Sequence, residues 1–197
     1  MVKTPYNGLK EGGLRMKVAT RERYTYQDYL KLEDDKRYEL IEGELIMVPA
    51  PGTEHQRNAR EILVKLYLFV NETGLGEVFF APTDVILSEE CVVQPDLLFI
   101  SKERLNIIEK RGVFGPPDLV VEIISPSTAL FDATTKRDIY ERFGIREYWL
   151  VSPEEKMVEV FTLEEGRYKI FSQARQAGKI QSHLLAEFEL DLKDIFF

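Results

Sequence analysis

The most informative hydrophobic pattern lies at residues 119–124, an apolar run interrupted by one acid, Glu122. Apolar residues occupy both sets of alternating positions around this acid, which is typical of a central strand covered on both faces. A carboxylate buried there without a partner would cost several kcal/mol. The pattern therefore predicts a cation, a metal or hydrogen-bond donors beside Glu122.

A second apolar run, at residues 92–100, is predicted to be a similar strand and also holds a single acid, Asp96. Two neighbouring strands that each carry one buried acid would form a site for a divalent metal ion. Each acid also has a simpler interpretation. Asp96 follows Pro95 and would then start a strand at the solvent edge, while an Arg or Lys would neutralise Glu122.

The longest helical pattern begins with the capping-box pair Thr53 and Gln56 and ends at Gly74. His55 lies one turn before Ala59, on the face that is expected to be buried. A partly buried structural contact is the commoner role for such a histidine, but the positive end of a helix also suits a site that faces an anion. The expected buried stripe consists of Ala59, Ile62, Leu63, Leu66 and Val70.

A later helix is predicted over residues 133–143, with Gly144 ending it. Its apolar positions are Ile139, Tyr140 and Phe143, and Lys136 completes the i, i+3, i+4, i+7 pattern. A lysine is therefore expected on the face that packs against the sheet. Alternatively, Lys136 pairs with Asp132 on its own helix or extends its amine into water.

Alternation between residues 38 and 48 predicts a hairpin with its turn at residues 42–43. This turn places Ile41 opposite Glu44 and Glu39 opposite Ile46, so both acids share one face. Solvated strand acids explain the pattern at least as well as a functional pair.

The remaining elements are weaker in pattern. Residues 1–20 are interpreted as a flexible extension, and residues 21–197 as one domain with an N-terminal helix at residues 25–34. The other predictions are one or two strands at 77–87, a short helix at 102–111, strands at 147–151, 157–163 and 168–171, and a polar loop at 173–179.

Composition limits the classes of partner. The chain has 197 residues, with 26 Lys and Arg against 34 Asp and Glu, which gives a net charge of −8. Such a charge disfavours broad, non-specific adhesion to nucleic acid or anionic membrane, so DNA contact requires a local basic patch. Cys91 is the single cysteine, which excludes an internal disulfide and suits a reducing cytoplasm. No stretch is apolar enough to span a bilayer.

Asp96, Glu122 and Lys136 together suggest metal-assisted phosphodiester hydrolysis. Two carboxylates hold a hard cation such as Mg²⁺, which prefers oxygen ligands and retains several waters. Water bound to such a cation becomes a nucleophile at neutral pH. A nearby lysine orients that water or stabilises charge on the phosphoryl group.

Several segments, in order along the chain, form a recognisable series: residues 38–45, Glu54-His55-Gln56, residues 93–97, residues 117–128, Lys136 with Tyr140, and residues 144–151. This series resembles the bacterial Uma-type family of restriction endonucleases, within the PD-(D/E)xK nuclease superfamily. The resemblance extends over nearly all of residues 24–197.

The resemblance implies an α/β fold of the α+β kind, with a restriction-endonuclease-like mixed sheet flanked by helices. It implies that Asp96 and Glu122, with the backbone carbonyl of Ile123, hold Mg²⁺ or Mn²⁺. The usual superfamily lysine would stand at Ile124, and in the Uma-type pattern it has moved to Lys136. Glu44 and His55 match family positions and are further catalytic candidates.

The leading hypothesis is therefore a Mg²⁺-dependent DNA endonuclease, which would act as a cytoplasmic homodimer with no membrane partner. One alternative is a catalytically silent nucleic-acid-binding or interaction module on the same fold, which the acidic charge favours modestly. A hydrolase of small phosphate-containing metabolites is the other alternative.

Overall fold

The structure is a computed structural model, and it describes residues 23–33, 36–124 and 131–196, with backbone alone for residues 131–133. The predicted extension at residues 1–20 lies outside these ranges. Helices are α1 (Tyr26–Tyr29), α2 (Thr53–Thr73) and α3 (Arg137–Arg142). Strands are β1 (Arg37–Ile41), β2 (Glu44–Val48), β3 (Gly76–Phe80), β4 (Val85–Ser88), β5 (Cys91–Val93), β6 (Leu97–Ser101), β7 (Ile108–Glu109), β8 (Gly112–Phe114), β9 (Leu119–Ile123), β10 (Glu147–Ser152), β11 (Met157–Glu164), β12 (Arg167–Arg175), β13 (Lys179–Gln181) and β14 (Glu189–Asp191).

Two mixed six-stranded sheets form the framework of the described chain. One has the order β2-β1-β5-β4-β8-β7 and the other the order β12-β11-β10-β9-β6-β3, and β13 and β14 pair in a small third sheet. Strand β9 runs parallel to β10 and antiparallel to β6. It therefore lies inside its sheet, as the apolar run at residues 119–124 predicts.

Both faces of the sheet that contains β9 are covered by apolar side chains. On one face, Val121 packs in a cluster with Ile62 and Leu66 of α2 and with C-terminal residues. On the other face, Val120 packs in a cluster with Tyr140 of α3 and with residues of the first sheet. All five residues of β9, including Glu122, are buried. This two-sided burial explains why the strand reads as a continuous apolar run.

The second apolar run is not one strand, which corrects the prediction for residues 92–100. β5 pairs with β1 and β4 in the first sheet, whereas β6 pairs with β3 and β9 in the other sheet. The chain leaves one sheet and enters the other across Gln94, Pro95 and Asp96. Pro95 has no N–H to contribute to a ladder, so a break there is physically reasonable. Asp96 consequently lies at a strand end.

The start of α2 also differs from the prediction. Gly52 is the N-cap and Thr53 is the first helical residue, so the predicted capping box of Thr53 and Gln56 does not form. The Gln56 amide instead bonds to the Gly52 carbonyl at 3.0 Å. The predicted end is correct, since Gly74 caps the helix with φ of 64°, a conformation that glycine adopts without steric cost.

Other boundaries were predicted less accurately. The short helix at 102–111 is a 3₁₀ helix over Lys102–Ile107 followed by β7, and β12 continues through part of the predicted loop at 173–179. α1 has the capping box of Thr25 and Asp28 but ends at Tyr29, well before residue 34. The strand break near Pro82 is observed between β3 and β4.

The hairpin register matches the prediction. Ile41 pairs with Glu44, and Glu39 pairs with Ile46. The two-residue turn places Glu42 at φ of 51° and Gly43 at φ of 79°, as expected for a tight hairpin turn. Within the described residues, no helix is both long enough and apolar enough to cross a membrane.

Cys91 is expected to be chemically inert in the folded protein. It is 2% exposed, and burial raises the pKa of its thiol to about 11, although Arg142 opposes the shift. Raising the pKa from the usual value of about 9 lowers the thiolate fraction near pH 8 roughly 100-fold. Labelling with a thiol reagent at pH 8 should therefore be at least about 100-fold slower in buffer than in 8 M urea. Equal rates would contradict the buried position of β5.

Candidate active site

The pairing of β6 with β9 brings the two predicted acids to one end of the sheet. Leu97 lies opposite Val121, so the next pair in the same register is Asp96 and Glu122. The Ile123 amide donates to Asp96 Oδ2 at 2.8 Å. Asp96 is therefore fixed against the backbone of the residue that follows Glu122.

His55 holds the same carboxylate from the other side. It is the third residue of α2, and its Nε2 lies 3.0 Å from Asp96 Oδ2. The two side chains are 14% and 17% exposed, so water reaches the pair only partly. Both contacts use Oδ2, and Oδ1 of Asp96 accepts no hydrogen bond from the described part of the chain. Asp96 thus presents one carboxylate oxygen for a further ligand.

Lys136 reaches Glu122, as expected for a lysine on the buried face of its helix. It ends a π-helical turn, Phe131–Lys136, that leads directly into α3. Its Nζ lies 3.0 Å from Glu122 Oε1 and 2.9 Å from Glu39 Oε1, and its side chain is 7% exposed. The alternative pairing with Asp132 lies outside the described side chains. The lysine therefore bridges two buried carboxylates.

Tyr140, one turn after Lys136, completes the environment of Glu122. Its hydroxyl donates to Glu122 Oε1 at 2.5 Å. Burial, followed by the charges of Glu122 and Glu39, raises the pKa of Tyr140 well above its usual value. The phenol consequently stays protonated near neutral pH and acts as a hydrogen-bond donor, not as a base.

Glu39 is the member of the site that sequence reasoning did not assign. It lies on β1 and is 3% exposed. Besides Lys136, its Oε1 accepts a hydrogen bond from the Gln94 amide at 2.7 Å. Glu44 is exposed on β2, and thus lies outside this buried group. Alternation placed both acids on one face, but only packing between the two sheets decides which acid is buried.

The charge of the site favours a cation. Glu39, Asp96 and Glu122 supply three carboxylates, and Lys136 supplies one ammonium that contacts two of them. Carboxylates in a largely buried place favour positive partners, so further positive charge would be accommodated here.

The donor set fits a hard, water-retaining cation. The described part of the chain contains no group of three or more His, Cys, Asp or Glu side chains that could hold a metal ion. Metal binding at this end of the sheet would therefore use the carboxylates of Asp96 and Glu122, with water for the remaining positions. Mg²⁺ accepts such a site because it commonly uses one or two carboxylates and keeps several waters.

Residues 26–193 match the model of the Uma2 family, which is described as "Putative restriction endonuclease". An uncharacterized protein of Synechocystis sp. is 27% identical over 140 residues, which is 69% of this chain and 78% of that protein.

A solved structure shares the fold. The crystal structure of "a putative nuclease belonging to DUF820" from Anabaena variabilis matches with a TM-score of 0.73 and 22% sequence identity, covering 87% of this chain and 97% of that one. The predicted fold, a restriction-endonuclease-like mixed β-sheet core flanked by helices, is confirmed.

Proposed function

Since the chain belongs to the Uma2 family of restriction-endonuclease-like proteins, we propose that it is a divalent-metal-dependent endodeoxyribonuclease. The observation that carries this proposal is the contact of Lys136 with Glu122, on the strand that faces Asp96. An acid at the start of one strand, an acid on the neighbouring strand and a lysine just before the following helix are groups that can support metal-assisted hydrolysis of a phosphodiester.

Asp96 and Glu122, with the backbone carbonyl of Ile123, would hold Mg²⁺, and Mn²⁺ would substitute for it. A divalent cation supplies Lewis-acid stabilisation and lowers the pKa of bound water. The protein's part is to orient the ligands. His55 and the Ile123 amide both hold Asp96 Oδ2, which would leave Oδ1 as the oxygen that binds the cation.

Lys136 would supply positive charge where the phosphoryl group develops negative charge. In the hydrolysis, a water molecule gives up one proton as its oxygen forms a bond to phosphorus. The bond from phosphorus to the leaving ester oxygen breaks, and that oxygen takes up one proton, so the protons balance. Glu39 and Tyr140 are positioning residues, because Glu39 holds the amine of Lys136 and Tyr140 holds the carboxylate of Glu122. Their contacts limit the number of conformations that the pair samples before substrate binds.

Asp96→Asn is expected to weaken metal binding at least about tenfold and to reduce cleavage with it, since one of two charged ligands is lost. The Ile123 amide and His55 would retain the remaining oxygen of the new side chain. Its NH₂ group would then occupy the ligand position and repel a cation. Calorimetric titration with Mn²⁺ and nicking of supercoiled plasmid in Mg²⁺ measure the two effects.

Asp138→Asn is a matched control, because Asp138 is exposed on α3. It should bind Mn²⁺ and nick plasmid like the wild type. Nicking that persists in EDTA, or that is equal in wild type and Asp96→Asn, would overturn the proposal. Loss of DNA cleavage together with hydrolysis of nucleotides would favour the small-phosphate hydrolase instead.

The cytoplasmic homodimer stays a prediction. Cutting both strands of a duplex is simplest with two copies of one site. Light scattering on the purified protein measures its oligomeric state, and a monomer that cuts both strands would contradict the dimer.

A further inference from the structure

A cleft of about 400 Å³ opens beside the acidic site. One wall is the loop after β3, and the Ala81 amide of that loop donates to the Asp96 carbonyl at 3.0 Å. Another wall includes Gln94, whose own amide donates to Glu39. The cleft and the acidic site therefore share the segment that joins β5 to β6. Its volume falls within the range of about 300–1,000 Å³ that is typical of small-ligand pockets.

Gln94 and Asp84 form the polar wall of the cleft, and hydrogen bonds hold both side chains. Gln94 donates from Nε2 to Asp84 Oδ1 at 2.7 Å, and Tyr29 donates to the same oxygen at 2.9 Å. Arg37 in turn donates to Gln94 Oε1 at 3.0 Å. Across the described ranges, no group donates to Asp84 Oδ2. A half-buried carboxylate oxygen is thus available to a ligand that carries an N–H group.

The other lining residues include an apolar part and a charged rim. Phe79 and Ile108 are half-buried and contribute apolar surface, and Phe79 brings an aromatic ring to the cleft. Lys110 and Arg111 are exposed on the turn between β7 and β8, and they outnumber the one exposed acid beside them, Glu109. An aromatic ring, a carboxylate acceptor and two cations correspond to the parts of a nucleotide: a base with a π-face, an amino group and a phosphate.

We propose that this cleft binds one unpaired nucleotide, with an amino-bearing base against Phe79, the amino group donating to Asp84 Oδ2, and the phosphate near Lys110 and Arg111. The base must be unpaired, because a base stacked and paired within a duplex cannot enter a pocket. The proposal rests on the nuclease function above, in which the nucleotide would neighbour the scissile phosphate. Its two sources are a free nucleotide and a nucleotide within a strand.

The test compares dCMP with dUMP, which carry an amino donor and a carbonyl acceptor, respectively, at position 4. At position 3, dCMP has a ring-nitrogen acceptor and dUMP has an N–H donor. Calorimetry is done on the full chain in EDTA, so that no cleavage occurs. Wild type should bind dCMP about tenfold tighter than dUMP, because the carboxylate accepts from the amino group and repels the carbonyl. Equal affinity for the two, or no binding of either at millimolar concentration, would overturn the proposal.

Asp84→Asn gives the sharper result. The variant side chain has the same shape, keeps an oxygen for Gln94 and Tyr29, and places an NH₂ donor where Oδ2 stood. Preference should therefore shift toward dUMP, with the dCMP to dUMP affinity ratio falling about tenfold or more. An unchanged ratio in a folded Asp84→Asn protein would exclude this carboxylate as the base contact.

A second pair of measurements tests the basic rim and the source of the nucleotide. Wild type should bind dCMP more tightly than deoxycytidine, which lacks the phosphate. The double variant Lys110→Ala with Arg111→Ala should bind the two equally, whereas Lys169→Ala on β12 should retain the difference in affinity. An oligo-dT carrying one dC that binds tighter than dCMP indicates a nucleotide within a strand, and equal affinity indicates a free nucleotide. Because all binding is measured without metal, the two failures are distinguishable. Absence of nucleotide binding overturns the cleft alone, whereas absence of cleavage by a protein that binds the nucleotide overturns the nuclease function.

Discussion

Replacing Glu122 by glutamine is expected to reduce DNA cleavage by about 10³-fold, the scale of loss for a charged group that acts on the transition state. Gln retains the shape of the side chain and an oxygen for the Tyr140 hydroxyl. It removes the charge that the Lys136 amine contacts at 3.0 Å and the charge that would hold the metal. Initial rates of plasmid nicking at saturating Mg²⁺ measure the effect.

Stability must be measured on the same variant, because removing one partner of a buried ion pair destabilises a protein by about 3–5 kcal/mol when the remaining charge is left uncompensated. Glu39 still contacts Lys136 at 2.9 Å, so we expect a smaller loss than this upper range. Urea unfolding at 25 °C gives the difference. Lys136→Met and the double variant close a mutant cycle, in which the effects on cleavage should be strongly non-additive. A folded Glu122→Gln protein that cleaves like the wild type would disprove the role of Glu122.

The sequence predicts those parts of the site that follow from the repeat of apolar positions within one helix or strand. The position of Lys136 follows from its spacing to Ile139 and Tyr140, although Lys136 ends a π-helical turn and only the other two residues lie on α3. The burial of Glu122 follows from apolar residues on both alternating sets. Both features depend on a few neighbouring residues and on the geometry of one element. The hairpin register is equally local, since the turn at Glu42 and Gly43 fixes every pair that follows.

The remaining parts of the site depend on contacts between distant segments. Pro95 signals a break, yet sequence does not show that the chain changes sheets there, because that depends on which strands pair. Tyr140 was expected as an apolar contact of α3, but its hydroxyl reaches Glu122, 18 positions away in sequence. The contact of His55 with Asp96 spans 41 positions. No periodicity within one element carries information about such pairs.

Buried polar residues also interrupt predicted apolar stripes. Asn58 is 2% exposed on α2, between His55 and Ile62, although the expected stripe of that helix contains only apolar residues after His55. Propensity and amphipathicity describe the average face of a helix, whereas the environment of a single position is set by the strand that packs on it. Glu39 illustrates the same limit on β1.

Glu39 and Glu44 form a natural matched pair, because the hairpin register places both on one face and only Glu39 is buried. Glu39→Gln is expected to reduce cleavage about 100-fold, within the range for residues that orient catalytic ligands. The neutral amide would hold the Lys136 amine less firmly, while its oxygen could still accept the hydrogen bond from the Gln94 amide. Glu44→Gln should stay within about twofold of wild type, as exposed substitutions usually do.

A positioning role for Glu39 also predicts which kinetic constant changes. Because Glu39 acts through Lys136, Glu39→Gln should lower kcat with little change in KM for DNA, whereas a residue that only binds DNA would raise KM. In a Lys136→Met background, Glu39→Gln should cost little more, since the amine that it orients is already gone. If Glu44→Gln loses activity and Glu39→Gln retains it, the exposed acid of the hairpin acts on the substrate, and the contact between Glu39 and Lys136 serves the fold alone.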